Sequence, residues 1–212
     1  MKNETKMILD ELLERYPVLD CCESAIVKAF EFMAESFRNG GKLLLCGNGG
    51  SCADADHIVG ELMKCFRKKR PISAAEKEGL KAFGPEAEAM AEKLEGALPA
   101  ISLCGHNALS TAFINDKDPF LVYAQQVEGY GVKGDVLMAT STSGNAQNCL
   151  YAAQLAKVKG LKVIAMTGSR ESKLSAVADV TIQVPSTETF KIQEYHLPVY
   201  HALCAMLEQE LF

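Results

Sequence analysis

The chain has 212 residues, 48% of them hydrophobic, and a formal net charge of -5. This is enough for one α/β domain with a full core, and the acidic balance disfavours a general nucleic-acid-binding protein, which would present a clustered basic face. The N-terminal segment is charged and amphipathic, and no apolar stretch is long enough to span a bilayer. We therefore expect a cytoplasmic protein without a nucleic-acid or membrane partner. The eight cysteines form no Cys-x-x-Cys pair, which favours reduced, buried thiols.

Hydrophobic periodicity predicts two amphipathic helices over residues 5–38, broken near Pro17. Strands and helices alternate after them. The predicted strands cover 42–46, 99–103, 135–140, 162–166 and 179–184, and the predicted helices cover 52–65, 108–129, 145–159 and 189–211. Near-continuous apolar strands indicate a mostly parallel sheet with helices on both faces. We predict a doubly wound α/β fold, a three-layer α-β-α sandwich in a single domain of residues 1–212, in which residues 1–40 form the N-terminal helices.

Residues 66–98 interrupt this alternation with a dense pattern of charges. Two helical stretches flank Gly84-Pro85, so the segment is predicted to be a helical insertion, a hairpin on the surface. The run Arg67–Arg70 at its start is interpreted as solvated surface, with an acidic or phosphate neighbour as the alternative.

Two loops are candidates for anion binding because each follows a strand and opens a helix. Gly47–Ser51 is neither a dinucleotide fingerprint, since Cys52 stands where a third glycine is needed, nor a P-loop. A plain strand-to-helix turn is the alternative for it. Thr140–Asn145 offers four hydroxyl side chains and a glycine at a helix N-terminus, which makes it the better phosphate site.

Titratable residues follow the first loop and recur in the last helix. His57 and Glu61 are four residues apart, so they share one helix face and could share a substrate or a metal; a surface hydrogen bond is the alternative. Gln193 and His201 are eight residues apart, about two helical turns. His201 lies in an apolar run and could be a core histidine, while Pro198 is expected to kink the helix between the two.

These motifs together resemble the sugar isomerase (SIS) domain family, and most closely its phosphoheptose isomerases. The resemblance covers nearly all of residues 20–212. It is carried by the turn 47–51, His57, Glu61, Asn115-Asp116, the segments 134–137 and 141–145, Thr167-Gly168, Lys191–Glu194, His196 and His201.

The resemblance implies an aldose–ketose isomerase that interconverts sedoheptulose 7-phosphate and D-glycero-D-manno-heptose 7-phosphate through an enediol. It implies Glu61 as catalytic base and His201 as its acid–base partner. Zinc would be held by His57, Glu61, Gln193 and His201. The enzyme would be a homotetramer with interfacial active sites. The implied substrate-binding residues are Asn48, Gly49, Gly50, Ser51, Asn115, Asp116, Ser141, Thr142, Ser143, Asn145 and Gln193.

The chain departs from the family pattern at two places. Ala146 stands where the phosphate loop usually has another serine, and the insertion replaces a much shorter connection. Two non-catalytic functions are alternatives: a SIS protein that binds a replication initiator, and a sugar-phosphate-sensing domain. The initiator-binding relatives lack residues matching Glu61 and His201, whereas this chain has both. Whether Glu61 acts as base, metal ligand or both stays open. His196 and Asp116 could orient substrate hydroxyls or serve as structural hydrogen-bond partners.

Overall fold

A computed structural model describes residues 1–212 and contains one five-stranded sheet in which all neighbouring strands are parallel, in the order β2-β1-β3-β4-β5. All five predicted strands are confirmed, with ends shifted by at most one residue. The central strands β1 and β3 are buried along their whole length, because helices cover both faces of the sheet. The strands are β1 (Leu43–Gly47), β2 (Ala100–Ser102), β3 (Val136–Thr140), β4 (Lys162–Thr167) and β5 (Val180–Gln183).

Ten α-helices and two short 3-10 turns, Pro17–Cys22 and Pro119–Leu121, accompany the sheet. Helix α9 was not predicted, because five residues are too short to display a helical period. No helix combines the length and the apolar character needed to cross a bilayer. The helices are α1 (Asn3–Arg15), α2 (Glu23–Arg38), α3 (Gly50–Met63), α4 (Ala74–Lys81), α5 (Pro85–Ala91), α6 (Asn107–Asp116), α7 (Val122–Tyr130), α8 (Gln147–Val158), α9 (Lys173–Val177) and α10 (Thr189–Leu211).

Alternate residues of each strand supply two separate cores, one on each face of the sheet. Leu43 and Leu45 point into the larger core, which α1, α2, α3 and α10 cover. Leu44 and Cys46 point into the smaller core, which is covered mainly by α7, α8 and α9. The predicted three-layer α-β-α architecture is therefore confirmed.

The insertion forms the predicted pair of helices, α4 and α5. Ser73 and Glu76 make reciprocal side-chain to backbone hydrogen bonds that cap α4. Lys77 of α4 pairs with Glu92 just after α5, at 2.9 Å. No residue of α4 is buried, so the hairpin lies on the surface, as expected.

The basic run at the start of the insertion is solvated surface only in part, because Arg67 and Lys69 are exposed as expected but Arg70 is buried. Arg70 is 1% exposed, and its Nε lies 3.1 Å from Glu208 of α10, a geometry that forms an ion pair but not a hydrogen bond. The Glu208 carboxylate also accepts hydrogen bonds from the backbone N–H groups of residues 66, 67 and 68. Arg70 in turn donates to the carbonyl oxygens of Glu61 and Leu62 at the end of α3. A buried carboxylate requires such partners, and this one fastens α10 to the end of α3.

Candidate functional site

The site lies at the carboxyl ends of β1 and β3, where the strand order reverses direction. Open parallel sheets bind ligands at this switch point. The turn Gly47–Ser51 follows β1 and leads into α3, whereas Thr140–Asn145 follows β3 and leads into α8. The two loops that we predicted from the sequence therefore lie on neighbouring strands.

Backbone conformation explains one glycine of the first turn, and close packing explains another. Gly49 has a φ of +56°, a conformation that other residues rarely adopt. A side chain at Gly50 would collide with the amide of Gln193. The first turns of α10 thus lie directly against the glycine turn. Asn48 forms a reciprocal amide pair with Asn148 of α8, with N···O distances of 3.0 and 2.8 Å, an interaction that the sequence did not indicate.

Three of the four predicted metal ligands meet between α3 and α10. His57 Nε2 lies 3.2 Å from Glu61 Oε1 and 3.5 Å from His201 Nε2. The Glu61 side chain is only 14% exposed, and its second oxygen lies 3.4 Å from Lys64 Nζ. Helix α10 continues through Pro198 as one element, so the helix carries both Gln193 and His201 into the site.

Two residues that were absent from the sequence analysis hold the other side of His57. The Tyr200 hydroxyl lies 3.1 Å from His57 Nδ1 and donates a hydrogen bond to Asp54 Oδ1, also at 3.1 Å. Burial raises the pKa of the Tyr200 phenol, and the nearby Asp54 carboxylate raises it further. The phenol is therefore a permanent hydrogen-bond donor at neutral pH.

Burial lowers the pKa of His201, and the adjacent imidazole of His57 lowers it further, against the opposing effect of Glu61. A lowered pKa keeps His201 neutral near pH 7. A neutral imidazole can take up or deliver a proton, and it can also offer a lone pair to a metal.

Donor chemistry in this cluster fits zinc. Tetrahedral zinc with bonds of about 2.0–2.1 Å sets neighbouring donor atoms about 3.3 Å apart, close to both distances measured from His57 Nε2. No group of three or more His, Cys, Asp or Glu side chains is already arranged to hold a metal ion. The side chains of His57, Glu61 and His201 would therefore have to move in order to surround an ion. The amide of Gln193 would be the fourth, uncharged ligand.

The second loop lines a small polar cavity of about 150 Å³. Its size suits a phosphate group rather than a drug-sized ligand, for which roughly 300–1,000 Å³ is usual. Gly144, with a φ of +65°, permits the tight turn, and a side chain there would collide with Ser172. The predicted Ser141 is buried and does not line the cavity. The lining includes the predicted Thr142, Ser143 and Asn145, and also Gly168, Ser169, Arg170, Glu171, Ser186, Thr187, Thr189 and Ile192.

Helix α10 joins the two parts of the site. Ile192 lines the polar cavity, whereas the next residue, Gln193, contacts the glycine turn. A ligand with an anionic end in the cavity would therefore extend along the start of α10 towards the cluster of His57, Glu61 and His201.

Two predicted residues are not brought into this arrangement. Asn115 and Asp116 are exposed at the end of α6 and hydrogen-bond to each other. His196 has the structural role that was the alternative for it: it is fully buried and its Nε2 lies 3.3 Å from the carbonyl oxygen of Thr167. Burial lowers the pKa of His196 to about 4, although the hydrogen bond to Thr167 opposes this shift.

Comparison with known proteins assigns almost the whole chain to one family of proteins. Models of the SIS domain match residues 10–95, 83–168 and 130–208. The phosphoheptose isomerase of Rhodospirillum rubrum is 35% identical over 211 residues, which cover 100% of this chain and 99% of the relative. That of Nitratiruptor is 38% identical, covering 82% and 80% of the two chains.

Solved structures of phosphoheptose isomerases superpose on the chain. That from Neisseria gonorrhoeae has a TM-score of 0.72 and 32% identity, covering 97% of this chain and 94% of the other. That from Francisella tularensis has a TM-score of 0.75 and 29% identity, covering 99% and 100%. The chain therefore belongs to the SIS domain family and, within it, to the phosphoheptose isomerases.

Proposed function

We propose that this protein is an aldose–ketose isomerase that converts sedoheptulose 7-phosphate into D-glycero-D-manno-heptose 7-phosphate. The observation that carries the proposal is the meeting of Glu61 and His57 of α3 with His201 of α10. A hydroxyl-lined cavity at the start of α10 accompanies this cluster. Incubation with the ketose phosphate, followed by phosphorus NMR, should reveal formation of the aldose. No aldose under conditions in which the protein is folded and supplied with zinc would contradict the proposal.

Glu61 acts as the base in this reaction. Its carboxylate removes a proton from C1 of the ketose to give an enediolate, and the protonated Glu61, after exchange of its proton with solvent, delivers a proton to C2. His201 transfers a proton between the two oxygens, since the O2 atom must gain one while O1 loses one. The neutral state of His201, favoured by burial, suits a group that both accepts and donates.

Zinc is the proposed cofactor, held by His57, Glu61, Gln193 and His201. When bound, it would polarise the carbonyl and hydroxyl oxygens of the sugar. A donor set of two imidazoles, a carboxylate and an amide suits this metal. Because a carboxylate bound to a cation is a weaker base, Glu61 serves one of these roles at the expense of the other.

The polar cavity is the proposed phosphate site, and Arg170 is its cationic side chain. This arginine was absent from the sequence analysis, and it compensates for the hydroxyl that is missing at Ala146. Arg170→Ala should raise the KM for the sugar phosphate about tenfold, since a charge-assisted hydrogen bond contributes about 1.5 kcal/mol. Steady-state kinetics measures this change.

Lys173→Ala is the matched control for Arg170→Ala. Lys173 is exposed nearby, but its side chain does not line the cavity. Its loss should leave KM almost unchanged. Equal KM values for the wild type and Arg170→Ala would show that Arg170 does not bind the phosphate.

The proposed assembly is a homotetramer with active sites at subunit interfaces. An open cleft of about 330 Å³ lies between α1 and α10, and His201 forms part of its wall together with Phe66 and Arg67. Seven of the twelve residues that line the cleft are hydrophobic, and an apolar patch rimmed by polar residues is typical of a contact site. Light scattering should report four times the 23.0 kDa of one chain. A fully active monomer would contradict the interfacial site.

A further inference from the structure

We propose that Tyr200 is a positioning residue, held in place by Asp54, which orients His57 so that its Nε2 atom faces Glu61 and His201. The inference deepens the proposed function, because it rests on His57 serving as a zinc ligand there. Tyr200 is not one of the residues proposed to hold the substrate or the metal, and it acts only through His57.

The direction of each hydrogen bond follows from the number of available protons. A tyrosine hydroxyl has one proton to donate, and Tyr200 donates it to Asp54 Oδ1 at 3.1 Å. Its oxygen can then only accept from His57 Nδ1, which lies 3.1 Å away. Nδ1 of His57 therefore carries a proton, and Nε2 is the nitrogen available as a ligand.

Nε2 of His57 points into the cluster of donors. It lies 3.2 Å from the carboxylate of Glu61 and 3.5 Å from Nε2 of His201. A lone pair that faces a carboxylate and a second imidazole at these distances is favourable only with a proton or a cation between them. Partners that fix the tautomer and ring orientation of a histidine ligand typically strengthen metal binding about 10- to 100-fold.

Two further observations indicate that Tyr200 and Asp54 do more than pack against their neighbours. The Tyr200 ring packs edge-on against both histidines, with centroid distances of 5.5 Å to His57 and 5.0 Å to His201. Burial of Asp54 destabilises the fold, because its Oδ2 is buried without a hydrogen-bond partner. An arrangement serving stability alone would gain from an uncharged residue at position 54.

Zinc affinity tests the inference without reference to catalysis. Competition with a chromophoric chelator should give a zinc Kd about 10- to 100-fold higher for Tyr200→Phe than for the wild type. Asp54→Asn should weaken binding in the same direction. The double variant should be no weaker than Tyr200→Phe alone, because Asp54 acts through the hydroxyl. Tyr151→Phe on α8 is the control and should bind zinc like the wild type.

NMR of nitrogen-labelled histidine provides a second readout on the same samples. The Nδ1–H proton of His57 should be visible and protected from solvent in the wild type, and should exchange rapidly in Tyr200→Phe. Unchanged zinc affinity together with a persistent Nδ1–H signal in Tyr200→Phe would overturn the inference, as would additive effects of the two substitutions. If the wild type binds no zinc, the proposed cofactor fails, and the NMR comparison on the metal-free protein decides the role of Tyr200 by itself.

Discussion

Glu61→Gln is expected to lower isomerase turnover about 10²- to 10⁴-fold, the usual contribution of a positioned general base. The carboxamide keeps the shape of the side chain but cannot take up the proton from carbon. The side chain is only 14% exposed, so bulk water cannot easily replace it. The variant should keep its far-ultraviolet circular dichroism and its melting temperature within a few degrees of the wild type, and steady-state kinetics measures the loss.

Zinc content separates the two roles proposed for Glu61. If Glu61→Gln keeps its zinc and loses turnover, the carboxylate is the base; if zinc and turnover fall together, it is a metal ligand. Glu35→Gln, on the exposed face of α2, is the matched control and should be fully active. Unchanged turnover in Glu61→Gln would remove this residue from the mechanism.

Arg70→Met should lower the free energy of unfolding by about 3–5 kcal/mol, because removal of one partner leaves a buried charge uncompensated. Glu208 is 2% exposed and would lose its arginine. The carbonyl oxygens of Glu61 and Leu62 at the end of α3 would also each lose the hydrogen bond from Arg70. We therefore expect lower activity in the folded fraction as well. Urea unfolding of the full-length protein measures the change in stability.

Lys77→Met, on the surface of the insertion, is the control for Arg70→Met. It removes the exposed pair with Glu92, which lies at 2.9 Å. Exposed ion pairs contribute at most about 1 kcal/mol, so this variant should unfold almost like the wild type. A loss of stability in Arg70→Met no larger than in Lys77→Met would show that the contact with Glu208 does not fasten α10 to α3.

The layers of the fold were predictable because each depends on a local pattern. Continuous apolar runs such as Val136–Ala139 indicate strands buried on both faces, and a period of 3.6 residues marks the long helices. The short helix α9 carries no such period. Ser172, whose side chain caps the N-terminus of α9, is the residue that could have indicated where this helix begins.

The chemistry of the site was only partly predictable, for a related reason. His57 and Glu61 are four residues apart, so one helix suffices to bring them together. Tyr200 and Asp54 are separated by 146 residues, and Arg70 and Glu208 by a similar distance along the chain. Such contacts leave no periodic pattern in the sequence. The basic run Arg67–Arg70 was therefore interpreted as solvated surface. The side of the cavity formed by Ser186 and Thr187 follows β5 and could have been found from the rule that ligands collect at strand ends.

Deuterium incorporation tests the central claim most directly. The zinc-supplied protein is incubated with sedoheptulose 7-phosphate in deuterated water, and the recovered sugars are analysed by proton NMR and mass spectrometry. We predict an aldose product that carries deuterium at C2, together with loss of this label in Glu61→Gln. An aldose formed without any deuterium would contradict proton transfer through an enediol, and the absence of both exchange and product would contradict the isomerase itself.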